Sequence, residues 1–143
     1  MELTPGHTFL KVSDRERAEA FYRDVLGMEV AARMDAPPMT FFSLGGHHDF
    51  GILGVGDGPR AAENCPGLFH IAFRVGDSVD DLRAAKAELE AAGATVEFCM
   101  DHTVTQSLYL HDPDGNMIEL FVDVSDAWRD DPDLITAAEL IEL

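Results

Sequence analysis

With 143 residues, 46% of them hydrophobic, the chain has enough material for one domain with a substantial core and no need of disulfides. Ten Lys and Arg stand against 27 Asp and Glu, a formal net charge of −17. A surface so acidic repels phosphate backbones and anionic lipid, which argues against nucleic acid and membranes as partners. No stretch reads as a basic-then-apolar secretory segment, and no apolar run reaches the roughly 18 residues that a membrane span needs. Cys65 and Cys99 are therefore expected to be free thiols in a cytoplasmic protein.

The first predicted element is a strand over residues 6–12, where Phe9, Leu10 and Val12 alternate with polar neighbours. Ser13, Asp14, Arg15 and Glu16 read as a capping box with Ser13 as the N-cap and Glu16 reaching back. The helix that follows carries Ala18, Phe21, Tyr22, Val25 and Leu26 on one face, and Gly27 stops it. Strands are predicted near 28–34, 39–44 and 49–55, with Pro37 and Pro38 between the first two. Residues 56–66 read as a linker, so module one spans about 5–55.

Module two, about 67–123, repeats that order. A strand over 68–75 leads to a helix started by Ser78 with Asp81, carrying Leu82, Ala85, Leu89 and Ala92 and closed by Gly93. Strands follow near 94–99, 105–110 and 116–122, the last two joined by the turn Asp112–Asn116. A final amphipathic helix is expected over about 132–142, with Leu134, Ile135, Ala138 and Ile141 as its apolar positions. The whole reads as a single α+β domain of two βαβββ modules.

The two halves also match residue by residue. The segment His7–Asp14 (HTFLKVSD) lies over His70–Asp77 (HIAFRVGD) at a constant offset of 63, from 7 to 70 and from 14 to 77. A duplication that keeps a histidine at the same point of each copy places the two imidazoles symmetrically. Glu119 lies on the last strand, with Ile118 and Leu120 pointing the other way by strand alternation. A carboxylate facing inward is costly unless something pairs with it. A divalent metal shared by His7, His70 and Glu119 meets that demand, and this 2-His-1-carboxylate composition leaves coordination positions open for substrate and O2.

The two βαβββ modules, with Asp112–Leu120 (DPDGNMIEL) closing the second, resemble the vicinal oxygen chelate superfamily. That group includes glyoxalase I, fosfomycin resistance proteins, bleomycin-binding proteins, methylmalonyl-CoA epimerase and extradiol ring-cleaving dioxygenases. The resemblance covers about residues 5–123 and implies an incomplete eight-stranded barrel around a metal site. The segment Gly46–Ile52 (GHHDFGI) is similar to that of catechol 2,3-dioxygenases, which implies His48 as acid/base. Ser107–Asn116 (SLYLHDPDGN) is similar to the same family's tyrosine-bearing stretch, which implies Tyr109 as the hydrogen-bond donor to a substrate oxygen. His102 falls in the loop where those enzymes carry a further supporting histidine.

The function so implied is an extradiol dioxygenase acting on a catechol-type aromatic diol with O2 at Fe(II), His7, His70 and Glu119 being the ligands. Mn(II) accepts the same ligand set. A homodimer or higher homo-oligomer is expected. His111, in the turn, is expected to be exposed, and Phe41, Phe42, Leu44 and Met100 are candidates for the pocket wall. Two alternatives stand beside this reading. One is another metal-dependent enzyme of the same fold, of glyoxalase or epimerase type. Glyoxalase I uses a carboxylate on the last strand of both modules, whereas Phe50–Val55 carries no Glu and has only Asp49 at its start. The other is a metal-free drug-binding protein of the bleomycin type, which the acidic charge suits.

Overall fold

The computed structural model describes residues 1–60 and 64–143; residues 61–63, inside the segment expected as a linker, lie outside the described residues. The chain divides into two units, Met1–Gly67 and Leu68–Leu143. In the first, Leu10 and Val12 turn inward along strand β1 (Thr8–Val12). Helix α1 (Arg15–Ala20) follows, then one wider π turn over Phe21–Val25. Strands β2 (Glu29–Asp35), β3 (Pro38–Ser43) and β4 (Phe50–Gly54) complete the module. The sheet order is β1-β4-β3-β2, with β1 parallel to β4 and the other pairs antiparallel.

The helix start differs from the expected capping box. Asp14 is the N-cap, its Oδ1 accepting from the amides of Glu16 at 2.8 Å and Arg17 at 3.1 Å. Ser13 Oγ instead accepts from Arg17 Nη2 at 2.9 Å. A carboxylate at this end also complements the positive end of the helix dipole, which favours Asp14 over its hydroxyl neighbour. Ala18 and Tyr22 are fully buried, and Tyr22 packs against Phe50 and Phe42 at centroid distances of 4.7 and 5.8 Å. Phe21, Val25 and Leu26, expected on that face, are only half-buried because the π turn rotates them off it.

Glu19 carries the polar part of this core. Its carboxylate is buried and accepts from Arg33 Nη2 at 2.6 Å and Nε at 2.9 Å, from Thr40 Oγ1 at 2.7 Å, and from Arg23 Nη1 at 3.2 Å. The Arg33 guanidinium holds the carboxyl below the ordinary glutamate range against the opposing effect of burial. Glu19→Gln should therefore cost about 1.5–3 kcal/mol at neutral pH, the range of hydrogen bonds to a charged group. Because the folded pKa is depressed, this stabilisation is complete above the unfolded value of about 4.3 and is lost as pH falls through the lower folded value. Denaturant titrations at stepped pH should show the gap between wild type and variant closing in acid. A gap that stays constant or widens would contradict the assignment.

The second unit repeats the order with β5 (His70–Arg74), α2 (Val79–Ala91), β6 (Phe98–Asp101), β7 (Thr105–His111) and β8 (Met117–Asp123). The capping box expected at Ser78 is present, with Ser78 Oγ accepting from the Asp81 amide while Asp81 Oδ2 accepts from the Ser78 amide. Leu82 and Leu89 are buried on the face that α2 turns to β7 and β8, where Leu108, Leu110, Ile118 and Val122 are also buried. Gly93 at φ +83° closes the helix in the left-handed region that suits glycine. In the turn before β8, Asp112 Oδ1 accepts from the Asp114 amide at 2.9 Å and the Asn116 amide at 2.8 Å.

The C-terminal helix expected over 132–142 is not formed. Pro132–Thr136 is a short 3-10 turn, Ala137 is extended, and Glu139–Ile141 is a further strand, β9, antiparallel to β6. A helix of this length is marginal alone, whereas the open edge of β6 offers unpaired amides and carbonyls that a strand satisfies. The sheet order is β5-β8-β7-β6-β9, with β5 parallel to β8. Both sheets are mixed, neither closes on itself, and each unit carries the βαβββ order of an α+β protein. Among the described residues no helix is long and apolar enough to cross a membrane.

Candidate active site

In the second unit, cross-strand register gathers the polar residues on the sheet face opposite α2. Glu119 on β8 stands beside Ala72 on β5 and Tyr109 on β7, and Tyr109 stands beside Phe98 on β6. Ser107, two residues before Tyr109, shares its face by the period of the strand. Ser107 Oγ donates to Glu119 Oε1 at 2.6 Å, and His70 Nε2 lies 3.0 Å from Glu119 Oε2. Ile118 and Leu120 are buried on the other face, as alternation requires. Ser107 was not among the residues singled out from the sequence, although its spacing from Tyr109 was the available signal.

Tyr109 is buried, with its ring stacked on Phe98 at 4.6 Å. Burial, then the neighbouring Glu119 charge, pushes its hydroxyl up to about 12, so it stays a neutral phenol at physiological pH. His102 Nε2 lies 3.0 Å from the Tyr109 hydroxyl, and His102 Nδ1 lies 2.8 Å from the Ala137 carbonyl. His102 is presented by a tight loop in which Thr103 takes φ +68°, a strained value for a β-branched residue. Asp101 holds that loop by accepting from the Thr103 amide at 2.6 Å. His111 is exposed and pairs with Glu97.

His70 Nε2 lies 3.0 Å from Glu119 Oε2, the length of a hydrogen bond and also close enough for both atoms to reach one cation. With Ser107 held on Oε1, Oε2 is the oxygen left for a cation. His70 Nδ1 is buried without a hydrogen-bond partner among the described residues. No group of three or more His, Cys, Asp or Glu side chains forms a metal-holding cluster among the described residues.

In the first unit, His7 sits one residue before β1 and is exposed. The His48 ring lies 4.5 Å from the His7 ring, edge-on to Phe41 at 5.4 Å, and its Nδ1 is 2.7 Å from His47 Nδ1. Loss of solvent around the ring, then the charges of His47 and His7, lower the pKa of His48, so it is neutral and able to accept a proton at physiological pH. Asp49 is a loop former, its Oδ2 accepting from the amides of Leu44 at 2.7 Å and Gly46 at 3.0 Å. Of the expected wall residues Phe41 faces His48, whereas Phe42 points the opposite way into the core. Leu44 is exposed and Met100 half-buried.

Register also shows what replaces Glu119 in the first module. Ala72 pairs with Glu119 and the equivalent Phe9 pairs with Gly51. A Cβ at Gly51 would lie 2.3 Å from the Phe9 ring, so the aromatic ring fills the space where a side chain would stand. Gly51→Ala should therefore cost about 1–3 kcal/mol by overpacking, read from its thermal unfolding. Adding Phe9→Val should recover most of that loss, and an additive double variant would contradict the contact.

Comparison with known proteins points to one superfamily that holds more than one activity. The model of the Glyoxalase/Bleomycin resistance protein/Dioxygenase superfamily matches residues 4–120. A biphenyl-2,3-diol 1,2-dioxygenase of Rhodococcus globerulus is 34% identical over 128 residues, covering 86% of this chain and 66% of that protein. The catechol-2,3-dioxygenase of Bacillus subtilis is 31% identical, covering 82% of this chain and 41% of that protein. The chain thus spans less than two thirds of the length of these dioxygenase relatives. A lactoylglutathione lyase of Neisseria meningitidis is 30% identical, covering 79% of this chain and 86% of that protein. Among solved structures, a glyoxylase/bleomycin resistance protein/dioxygenase domain from Frankia superposes with a TM-score of 0.73 at 23% identity. That match covers 87% of this chain and all of that one, and it supports the fold alone.

Proposed function

The chain belongs to the glyoxalase/bleomycin resistance protein/dioxygenase superfamily, and within it we propose that it is an Fe(II)-dependent extradiol dioxygenase for a catechol-type diol. The observation that carries this reading is the second unit's array. His70 and Glu119 are close enough to reach one cation, and Tyr109 and His102 stand beside them, while the matching place in the first module is Gly51 and holds no carboxylate. A site with a carboxylate from both modules, as a glyoxalase I needs, has no donor at Gly51. Asp49 is committed to its loop.

In this proposal His70 and Glu119 hold the metal, and His7, at the equivalent point of the first module, is the third ligand. Fe(II), or Mn(II) in its place, would supply the Lewis acidity and one-electron chemistry that let a diol react with O2. Ser107 keeps the Glu119 carboxylate oriented, so that it does not have to be fixed when metal arrives. Tyr109 stays protonated and places its hydroxyl in hydrogen-bonding contact with a substrate oxygen, its ring held by Phe98. His48, neutral at rest, takes a hydroxyl proton from the diol and returns it later in the reaction. Both atoms of O2 enter the ring-opened product, so no external reductant is consumed.

The test is oxygen uptake by protein purified anaerobically and loaded with ferrous iron, given a panel of catechols. Uptake with a yellow ring-opened product supports the proposal. Metal binding without oxygen uptake would favour the isomerase-type reading, to which the lactoylglutathione lyase relative points. A protein that holds no metal would leave the drug-binding reading.

A further inference from the structure

The strand that replaces the expected C-terminal helix reaches the site. β9 pairs with β6 through Asp101 with Glu139, Met100 with Leu140 and Cys99 with Ile141. Asp101 directly precedes His102, and Ala137 stands two residues before Glu139, so this ladder brings the Ala137 carbonyl to His102 Nδ1 at 2.8 Å. Ala137 is held in turn by its amide donating to the Leu134 carbonyl at 3.2 Å. Beyond β9, Lys86 Nζ donates to the Leu143 carbonyl at 3.3 Å and ties the end of the chain to α2. The segment lies beyond the stretch that matches the family.

The consequence concerns one proton. A backbone carbonyl only accepts, so the nitrogen facing Ala137 must carry a hydrogen. A neutral imidazole has one N–H, which leaves Nε2 of His102 with a bare lone pair facing the Tyr109 hydroxyl at 3.0 Å. The phenol is then the donor in that contact. Its one proton has a competing acceptor in the nearby Glu119 carboxylate, so whichever acceptor takes it decides what the other can do.

We propose that the C-terminal segment, through the Ala137 carbonyl, sets the tautomer of His102 and so directs the Tyr109 hydroxyl proton toward His102 and away from Glu119. Glu119 then keeps its free carboxylate lone pairs for a cation. The Tyr109 oxygen turns its own lone pairs to the site, where it accepts from a hydroxyl of the diol in place of the donation to a substrate oxygen that the resemblance implies. Ala137 and His102 are positioning residues, whereas Tyr109 touches substrate. The choice of diol rests on the dioxygenase reading; the proton placement rests on the hydrogen bonds of this unit.

The test is the nitrogen chemical shifts of His102 in metal-free protein of residues 1–143, recorded across pH and read where the ring carries a single N–H. Wild type should be protonated on Nδ1. A Leu140→Pro/Ile141→Pro variant removes one β9 ladder bond whichever amide faces β6. Its His102 should move toward the Nε2–H form that a free histidine side chain prefers. With iron loaded to the wild-type level, kcat of that variant should fall roughly ten- to hundredfold, the range for partners that orient a site's contacting groups. Wild-type His102 protonated on Nε2 would overturn the proposal, as would a folded variant with an unchanged tautomer. If the variant does not fold, the wild-type assignment decides alone. Should the tautomer behave as expected while no catechol supports oxygen uptake, the dioxygenase reading has failed and the proton placement stands.

Discussion

Glu119→Gln should remove metal binding and oxygen uptake together while leaving the metal-free fold in place. The substitution keeps the shape of the side chain and an oxygen for the Ser107 hydroxyl, which donates at 2.6 Å in the wild type. It removes the negative charge that faces His70 Nε2 at 3.0 Å. A group that orients a ligand from outside is worth ten- to hundredfold in metal affinity, so loss of a ligand itself should cost at least roughly a hundredfold. Thermal unfolding with and without metal separates the site from the scaffold. Metal at about a hundred times its dissociation constant stabilises the folded state by about 2.7 kcal/mol, which for a chain of this size raises Tm by roughly 5–10 °C. Wild type should show that rise and Glu119→Gln should not, with both metal-free proteins melting alike. A metal-dependent rise retained in the variant would remove Glu119 from the ligand set.

His48→Ala should give the opposite pattern, with iron retained and turnover lost. The ring stands against Phe41 and His7 and is proposed to move protons, so its removal should lower kcat by roughly a hundred- to ten-thousandfold, the range for a positioned acid/base. KM for the diol should change far less, because the substrate contact assigned to Tyr109 is untouched. Iron content and the metal-dependent rise in Tm should match wild type. Turnover like that of wild type would assign the proton transfers elsewhere, and loss of iron would make His48 a ligand.

Much of this was legible in the residues. The Ser78 box, the Gly93 stop and the Asp112–Asn116 turn all depend on short-range chemistry, and each takes the expected form. Local competition misled the reading at Ser13, where Asp14 next door is the better cap. The C-terminal stretch failed for a different reason. Leu134, Ile135, Ala138 and Ile141 fit a helical period, but the outcome was decided by β6, some 40 residues earlier in the chain, whose open edge was invisible in that spacing.

Ser107 and Gly51 show the same division, each within its own unit. Each matters through the residue across the ladder, Ser107 through Glu119 on β8 and Gly51 through Phe9 on β1, and strand register is not written in either segment alone. The sequence by itself determined the two βαβββ modules and offered the candidate site side chains, because helix caps, turns and strand alternation are set by near neighbours. Only the tertiary structure decided which of them meet. It joined Ser107 to Glu119, filled the first module's carboxylate place with the Phe9 ring, and brought the Ala137 carbonyl to His102, because cross-strand pairing couples residues whose separation along the chain carries no local signal.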